Sequence, residues 1–519
     1  MIRFSPNRNR AHLIHWFEWR PEAFEAARRQ DKLVMLYLGA FWCGFCQRMD
    51  ETTFSNDEII TLLNAYFIPV RVENAQRPDI DVRYNQNGWP TIAFMTPEGD
   101  HLATVNYLPP GDFGDVLIRF YTLYRERKTG IEDAVVRANQ EASLKAKAGA
   151  SKGKIRASSV SEISSTLMDL ADSVHGGYGP DDKFPHPEAN EFLLYRYEAT
   201  GDSRYLDHVT LTLDKMREGR IHDRFEGGFF RCSSKVDWSE PHREKLLEDH
   251  AGLLGNCLHT FSITKRPVYG QMAEEIIDYL NANLSDPSGV AFYGCQDYVR
   301  TLSSRKESLP EFNKEDSGMY FSIVDDWIYT DANAQTISAY LLASLILTRP
   351  DCRKRAFETL GFLWDHCRAR KGGLCHYFDG APHVPGLLVD QVQVGKALLA
   401  AYGITGEAIY LERAKELGEF ILGDFTNSEG GFYDTSTKGL AHLRFRLTRL
   451  VENGVTANFF LGLADSTKEE RYRQSALWAL SAFTGDFAPF GVHAAGYGQA
   501  LAGHIYPPMA KRPSGSLRE

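Results

Sequence analysis

Five segments of this chain share one pattern, and a chain that repeats itself in this way has to build its core by stacking the copies. Residues 200–213 (TGDSRYLDHVTLTL), 264–277 (TKRPVYGQMAEEII), 348–361 (TRPDCRKRAFETLG), 405–418 (TGEAIYLERAKELG) and 467–480 (TKEERYRQSALWAL) each open with a short polar turn and continue as an amphipathic helix. Their starts lie 64, 84, 57 and 62 residues apart. A more apolar helix precedes each one, over 188–199, 246–263, 331–347, 389–404 and 452–464. A helix that is apolar around more of its circumference is buried on more sides, so each unit pairs an inner helix with an outer one. Residues 160–174 and 494–506 complete the set, giving six inner and six outer helices. Repeats of this length bury a continuous core only by packing neighbour on neighbour. An α-solenoid does this, and six pairs can also close into an (α/α)6 toroid. The toroid is the expectation here, over residues 159–510.

The loops that follow the outer helices repeat as well. They carry Gly176-Gly177-Tyr178, Gly227-Gly228-Phe229, Gly372-Gly373-Leu374 and Gly430-Gly431-Phe432. A glycine pair permits a tight turn with positive φ, and the large side chain after it can plug the core.

The first 125 residues read differently. A helix is expected at 21–30 and strands at 32–39 (KLVMLYLG), 67–72, 91–95 and 102–107, with a further helix over 113–124. Alternation of this kind is α/β. Residues 143–158 mix Lys145, Lys147, Lys152, Lys154 and Arg156 with Ala, Gly and Ser. They read as a solvated linker or helix end. The sequence therefore predicts a multidomain chain with an α/β domain over 1–130, a linker over 131–158 and the all-α toroid beyond.

Cysteine chemistry is confined to one place. Of eight cysteines, six (Cys232, Cys257, Cys295, Cys352, Cys367 and Cys375) are scattered, too few for a disulfide scaffold. Cys43 and Cys46 form a C-x-x-C just after the first predicted strand, where a helix should open. A helix N-terminus carries a partial positive charge and free N–H groups, which stabilise a thiolate. Cys43 is then the nucleophile and Cys46, one turn in, the resolving thiol. Half of a zinc site is the competing reading, but it needs a second ligand pair, and there is no second C-x-x-C. Pro90, in Gly88-Trp89-Pro90-Thr91, stands immediately before a central strand, a placement that points to a special backbone constraint.

Charge and hydropathy narrow the partners. There are 58 basic and 68 acidic residues, a formal charge of −10 with no basic block, so nucleic acid is not an expected partner. No apolar run at the N-terminus reads as a signal peptide. Residues 487–510 carry prolines and glycines that rule out a span, and no membrane association is expected. A cytoplasmic setting with reduced thiols is the default. No metal and no cofactor is expected.

The predicted inner helices open with carboxylates: Glu188, Asp249, Asp331, Asp390 and Glu452. Acidic residues at helix starts are ordinary caps. In a closed toroid the same residues converge on one funnel, where carboxylates about 5–9 Å apart can act as acid and base on a glycosidic bond. The segment from Trp238 to His250 adds His242 and His250, which could serve as acid–base partners in an epimerase or isomerase. Residues 286–330 are the longest insertion and a candidate cover for the funnel.

Residues 20–125 resemble the thioredoxin family, in the strand, Trp42-Cys43-Gly44-Phe45-Cys46, and Gly88-Trp89-Pro90-Thr91, in that order. The resemblance implies a thioredoxin fold, Cys43 and Cys46 as a redox pair, and Pro90 as the cis-proline. Two departures stand out. Tyr37 replaces the buried Asp six residues before the first cysteine, and Phe45 replaces the usual proline. Over residues 10–506 the chain is similar to the spermatogenesis-associated protein 20 family. The carrying residues are His15-Trp16-Phe17-Glu18-Trp19, Arg77-Pro78-Asp79-Ile80-Asp81, Gly88-Trp89-Pro90, Lys183-Phe184-Pro185, Pro241-His242 with Glu244-Lys245, and Thr330-Asp331 with Asn333. This resemblance implies a thioredoxin-like domain joined to a six-hairpin glycosidase-like domain. Its link to carbohydrate metabolism is one of fold analogy. The usual motif has His-Trp between the cysteines, where this chain has Gly44-Phe45.

Three functions fit these residues. One is a thiol–disulfide oxidoreductase in which the toroid positions a client, whether a protein or a small molecule. A second is a carbohydrate-active enzyme (glycosidase, epimerase or isomerase) acting on a sugar from the funnel. The third is a non-catalytic binding scaffold.

Overall fold

An apolar strand followed by a helix opening on a cysteine begins the first layer. In the computed structural model, which describes residues 2–148, 155–300, 320–485 and 487–506, two units separate. The first comprises Met1–Ala150, Asp297–Asp325 and Thr437–Arg446. Its elements are α1 (Pro21–Gln30), β1 (Leu33–Gly39), α2 (Gly44–Glu51), α3 (Asp57–Tyr66), β2 (Phe67–Glu73), α4 (Pro78–Tyr84), β3 (Thr91–Met95), β4 (His101–Val105) and α5 (Pro110–Ala148). The sheet order is β2-β1-β3-β4, with β1 and β2 parallel and the other pairs antiparallel. All seven residues of β1 and all five of β3 are buried, because central strands covered on both faces are apolar throughout. Met35, Tyr37, Ile92 and Phe94 face one core, and Val34, Leu36, Leu38, Ala93 and Met95 the other.

Each strand lies within two residues of its predicted bounds. The helix predicted at 113–124 is far longer. α5 continues past a non-helical Arg127 to Ala148, so it runs through the first part of the predicted linker. Lys152 and Lys154 lie outside the described residues. Two short segments from far along the chain belong to this unit. Ala441 and Leu443 sit in the core beside Trp19 and Phe24, and the His442 ring stacks on Tyr84 at 5.1 Å.

The second unit comprises Ser151–Gln296, Asp326–Ser436 and Leu447–Glu519. Its helices are α6 (Ser158–Leu170), α7 (Pro187–Thr200), α8 (Ser203–Glu218), α9 (Leu247–Thr264), α10 (Pro267–Tyr279), α11 (Thr330–Ile346), α12 (Pro350–His366), α13 (Leu388–Thr405), α14 (Ala408–Asp424), α15 (Leu450–Thr467), α16 (Glu470–Ser481) and α17 (Ala495–Ile505). α7, α9, α11, α13, α15 and α17 pack each on the next, and α17 returns to α7. The ring is closed, with the even-numbered helices outside it. Short strands lie in the loops: β5 (Lys245–Leu246), β8 (Ile328–Tyr329), β9 (Cys375–Phe378) and β10 (Pro382–Pro385) in this unit, β6 (Cys295–Arg300), which starts in it, and β7 (Tyr320–Asp325), which belongs to the first. β9 pairs antiparallel with both β8 and β10. Of the predicted insertion at 286–330, residues 297–300 and 320–325 belong to the first unit and 301–319 lie outside the described residues. Among the described residues no helix is long and apolar enough to cross a membrane.

The glycine pairs do what their repetition implied. Both members of each pair have positive φ. At Gly228 a side chain would meet His250 Nε2 and the Tyr279 ring at 2.7 Å, so the turn needs glycine for space as well as for backbone conformation. In three of the four, the residue after the pair donates its backbone N–H to the fourth residue of the next inner helix, while Tyr178 reaches Asn190 with its hydroxyl instead. Phe229 bonds His250 Nε2 at 2.9 Å, Leu374 bonds Gln391 Oε1 at 2.8 Å and Phe432 bonds Asn453 Oδ1 at 2.8 Å. Phe292 does the same to Asn333 Oδ1 at 2.9 Å without a glycine pair.

Candidate functional site

The cysteine motif sits at the junction of β1 and α2. Cys43 is the N-cap residue of α2, and its Sγ accepts the Cys46 N–H at 3.2 Å. Both cysteines are free thiols and largely buried, at 8% and 4% exposure. Burial pushes the Cys46 thiol well above the ordinary range, and the neighbouring Cys43 adds to the shift. The two thiols are therefore unlike: one at the helix start receives an N–H, and the other, behind it, holds its proton.

The proline motif comes to the same place. The Trp89–Pro90 peptide is cis, as the thioredoxin resemblance implied. Trp89 and Trp42 meet edge to face at 5.2 Å, which ties the two motifs together. Phe45, between the cysteines, is exposed and lies 5.6 Å from the Tyr107 ring. The surface around the thiols is thus aromatic.

Beneath Cys46 the interior departs from a thioredoxin pattern. Tyr37 is fully buried, and its hydroxyl lies 3.4 Å from the Cys46 carbonyl. The Arg71 guanidinium sits 4.4 Å over the Tyr37 ring and donates to both oxygens of Asp50 at 2.8 Å. Asp50 also accepts the Ser5 N–H. A phenol backed by a buried ion pair fills the place where the family has a carboxylate. A carboxylate appears elsewhere. Glu73, at the end of β2, accepts the Phe41 N–H and the Gln76 N–H, each at 3.0 Å. Burial, with the nearby Asp325 carboxylate, raises it to about 8. Glu73 braces the loop that carries the cysteines. Neither Arg71 nor Glu73 is marked in the sequence, because each reads as an outward charge on a strand.

In the toroid the inner-helix carboxylates occupy second or third helical positions, where the helix dipole favours an anion. Several converge. Glu248 is an exposed residue whose carboxylate nevertheless has protein crowded around it. Burial raises it to about 7, with Asp331 and then Glu188 adding like charge. Asp249 is raised well above the ordinary range by burial and by Glu248. Asp390 is fully buried and raised to about 6 by that burial, although His376 opposes it. His376 Nδ1 lies 2.9 Å from Asp390 Oδ1 and 4.0 Å from Asp331 Oδ1. The structure thus brings Asp249, Asp331 and Asp390 into one charged neighbourhood. It adds Glu188, Glu248 and His376.

Three other candidates have partners of their own. Glu452 pairs with Arg449 at 2.5 Å. His242 bonds Cys232 and Glu244, which raise it to about 10, and Arg231 holds Glu244 at 2.8 Å. His250 is in the core. Its Nδ1 lies 2.6 Å from the Leu246 carbonyl while Nε2 accepts the Phe229 N–H. Both nitrogens are committed, and burial lowers the ring to about 3. The acid–base partnership expected of His242 and His250 does not fit this placement, since the two rings have separate partners. His376 went unread because it arrives on a loop strand, β9, and the helix repeat gives no signal for it.

Residues 7–143 match a family model described as Thioredox_DsbH, protein of unknown function, DUF255. Spermatogenesis-associated protein 20 of Rattus norvegicus is 30% identical over 335 residues, 57% of this chain and 42% of that protein. The chain thus matches less than half the length of that curated relative. Thiol:disulfide interchange protein DsbD of Yersinia pestis is 34% identical over 79 residues, covering 15% of this chain and 13% of DsbD. Among solved structures, a sugar epimerase from a ruminal bacterium superposes with a TM-score of 0.52 at 14% identity, over 67% of this chain and 98% of the epimerase. That likeness establishes the fold of the helical unit.

Proposed function

From the premise that this chain is a relative of the spermatogenesis-associated protein 20 family, a thioredoxin-like domain joined to an (α/α)6 toroid, we propose that it is a thiol–disulfide oxidoreductase whose toroid holds the client or substrate. The observation that carries this reading is the Cys43 Sγ at the N-cap of α2, accepting the Cys46 N–H, beside the cis Trp89–Pro90 peptide.

The Cys43 thiolate attacks one sulfur of a client disulfide. A Cys43–client bond forms, the client S–S bond breaks and one client thiolate leaves. Cys46 then loses its proton and attacks Cys43 Sγ. The mixed disulfide breaks, the second client thiolate leaves, and the Cys43–Cys46 disulfide remains. The client gains two electrons, which an external dithiol restores to the enzyme. A cytoplasmic setting would supply such a reductant. The exposed Phe45 and the paired Trp42 and Trp89 offer an apolar landing surface.

Equilibration in glutathione redox buffers, followed by alkylation and mass measurement, tests this. The pair should titrate as one two-electron couple, Cys46→Ser should trap a mixed disulfide on Cys43, and Cys43→Ser should abolish both signals. A Cys43 that alkylates no faster than a free thiol at neutral pH, with no measurable couple, overturns the reading.

A second reading rests on the convergence of Asp249, Asp331, Asp390 and Glu248 in the toroid. It is a sugar-processing activity, of the broad class to which the superposed sugar epimerase belongs. Proton NMR of reducing sugars incubated with the protein should show turnover that Asp249→Asn abolishes and Cys43→Ser leaves intact. Turnover unaffected by Asp249→Asn counts against it.

A further inference from the structure

Three donor side chains converge at one point of the toroid for a reason that neither disulfide exchange nor helix capping supplies. Asp331 is the second residue of α11, Asp390 the third of α13, and His376 comes from β9. α11 and α13 are neighbours in the inner ring, so ring packing sets the two carboxylates side by side. β9 pairs with β8, which leads directly into α11, and that pairing delivers the imidazole. One donor atom of each residue lies within 4.8 Å of the other two.

The second observation concerns Asp390. It is 0% exposed, and its Oδ2 has no hydrogen-bond partner among the described residues. A buried carboxylate oxygen without a partner is costly. Here Asp331 lies beside it and Glu248 nearby adds to the negative charge. The His376 imidazole faces both Asp331 and Asp390, while Arg231 partly offsets Glu248. Asp331, by contrast, is only half-buried, so the cluster borders solvent on that side.

We propose that Asp331, His376 and Asp390 form a divalent-cation site in the toroid. Two carboxylates and one imidazole suit borderline first-row ions, of which Mn²⁺ and Zn²⁺ are the natural probes, better than they suit Ca²⁺ or a thiolate-seeking ion. Ligand distances near 2.1 Å set donor atoms about 3.0–3.4 Å apart, so the present 4.0 Å separation has to close by about 0.6–1 Å and the 2.9 Å one to open by a few tenths of an ångström. The proton between His376 Nδ1 and Asp390 Oδ1 gives way to the ion. Water completes the shell from the Asp331 side. A second group of donors, Cys232, His242 and Glu244, is less suited, because Arg231 already occupies the Glu244 carboxylate.

The test uses the full chain, stripped with a chelator and titrated with Mn²⁺ while the electron paramagnetic resonance signal of free Mn²⁺ is followed. Zn²⁺ is then added as a competitor. One ion should bind per chain. Asp331→Asn, a half-buried and mild change, should weaken it at least tenfold, as should His376→Gln. Cys232→Ser should leave it unchanged, and circular dichroism should show all three variants folded. Failure of the wild type to bind either ion at millimolar concentration overturns the site. So does binding that survives both Asp331→Asn and His376→Gln, or binding lost in Cys232→Ser alone, which would place the ion on the second group.

Discussion

Arg71 is the residue on which the interior behind the thiols depends. Its two terminal nitrogens each donate to Asp50, and its guanidinium lies over Tyr37. Removing one partner of a buried pair leaves the other charge uncompensated, typically at about 3–5 kcal/mol. Arg71→Met is therefore expected to lower stability by roughly that amount. Asp50→Asn introduced into the same background should restore part of it. Urea denaturation of the wild type and both variants checks this, and equal midpoints for Arg71→Met and wild type would refute it. At this scale the sequence was legible where chemistry sits in adjacent residues. Cys43, Cys46 and Pro90 lie in short motifs whose spacing carries their meaning. Arg71, Glu73 and His376 were not legible. Each owes its environment to a residue well removed along the chain (Asp50, Asp325 and Asp390 respectively), and a lone charge on a strand looks the same whether it faces water or a buried partner.

The element that recurs is a clamp between a loop and the helix that follows it. The fourth residue of an inner helix accepts an N–H from the preceding loop and donates to a carbonyl one turn back. Asn333 does this to Tyr329, Gln391 to Leu387 and Asn453 to Arg449, each at 2.9 Å. His250 performs the same task with a ring. Amides do not titrate, and histidine does. With its folded-state value lowered to about 3 against an ordinary 6.5, the neutral ring contributes stability fully above about pH 6.5, and that contribution is lost as pH falls toward 3. The unfolded state binds the extra proton in that window, so between pH 7 and 5 the wild type should lose about 2 kcal/mol that His250→Asn does not. Urea midpoints at the two pH values measure the difference, and parallel losses would show that His250 is not the group responsible. The helices themselves were legible to within a few residues, because period-3.6 patterning sets burial in every hairpin. The clamps were not, since one Asn, Gln or His at a helix start is also an ordinary cap.

At the level of the molecule, the sequence placed residues 159–510 in one toroid, whereas Asp297–Asp325 and Thr437–Arg446 belong to the thioredoxin-like unit. Short polar excursions carry no periodicity that would reveal where they pack. They complete a core: Leu443 and Ala441 are buried beside Trp19 and Phe24, Arg444 pairs with Asp100, and Arg3 meets Asp325 at 2.5 Å. A fragment of residues 1–150 is therefore expected to bind a hydrophobic dye and to melt lower than the same fragment fused to residues 437–446. Identical melting of the two would show that the excursion adds nothing. The closure of the ring by α17 against α7 and α6 has a consequence for synthesis. A chain emerging from the ribosome makes five inner helices in order, each apolar on more than one side, but the seam between the first and the last cannot form until residue 505 has emerged. For that whole interval the half-made ring presents an open apolar edge. Its yield in the cell should therefore depend on translation speed and on chaperones that hold nascent chains, more than the stability of the finished ring would suggest.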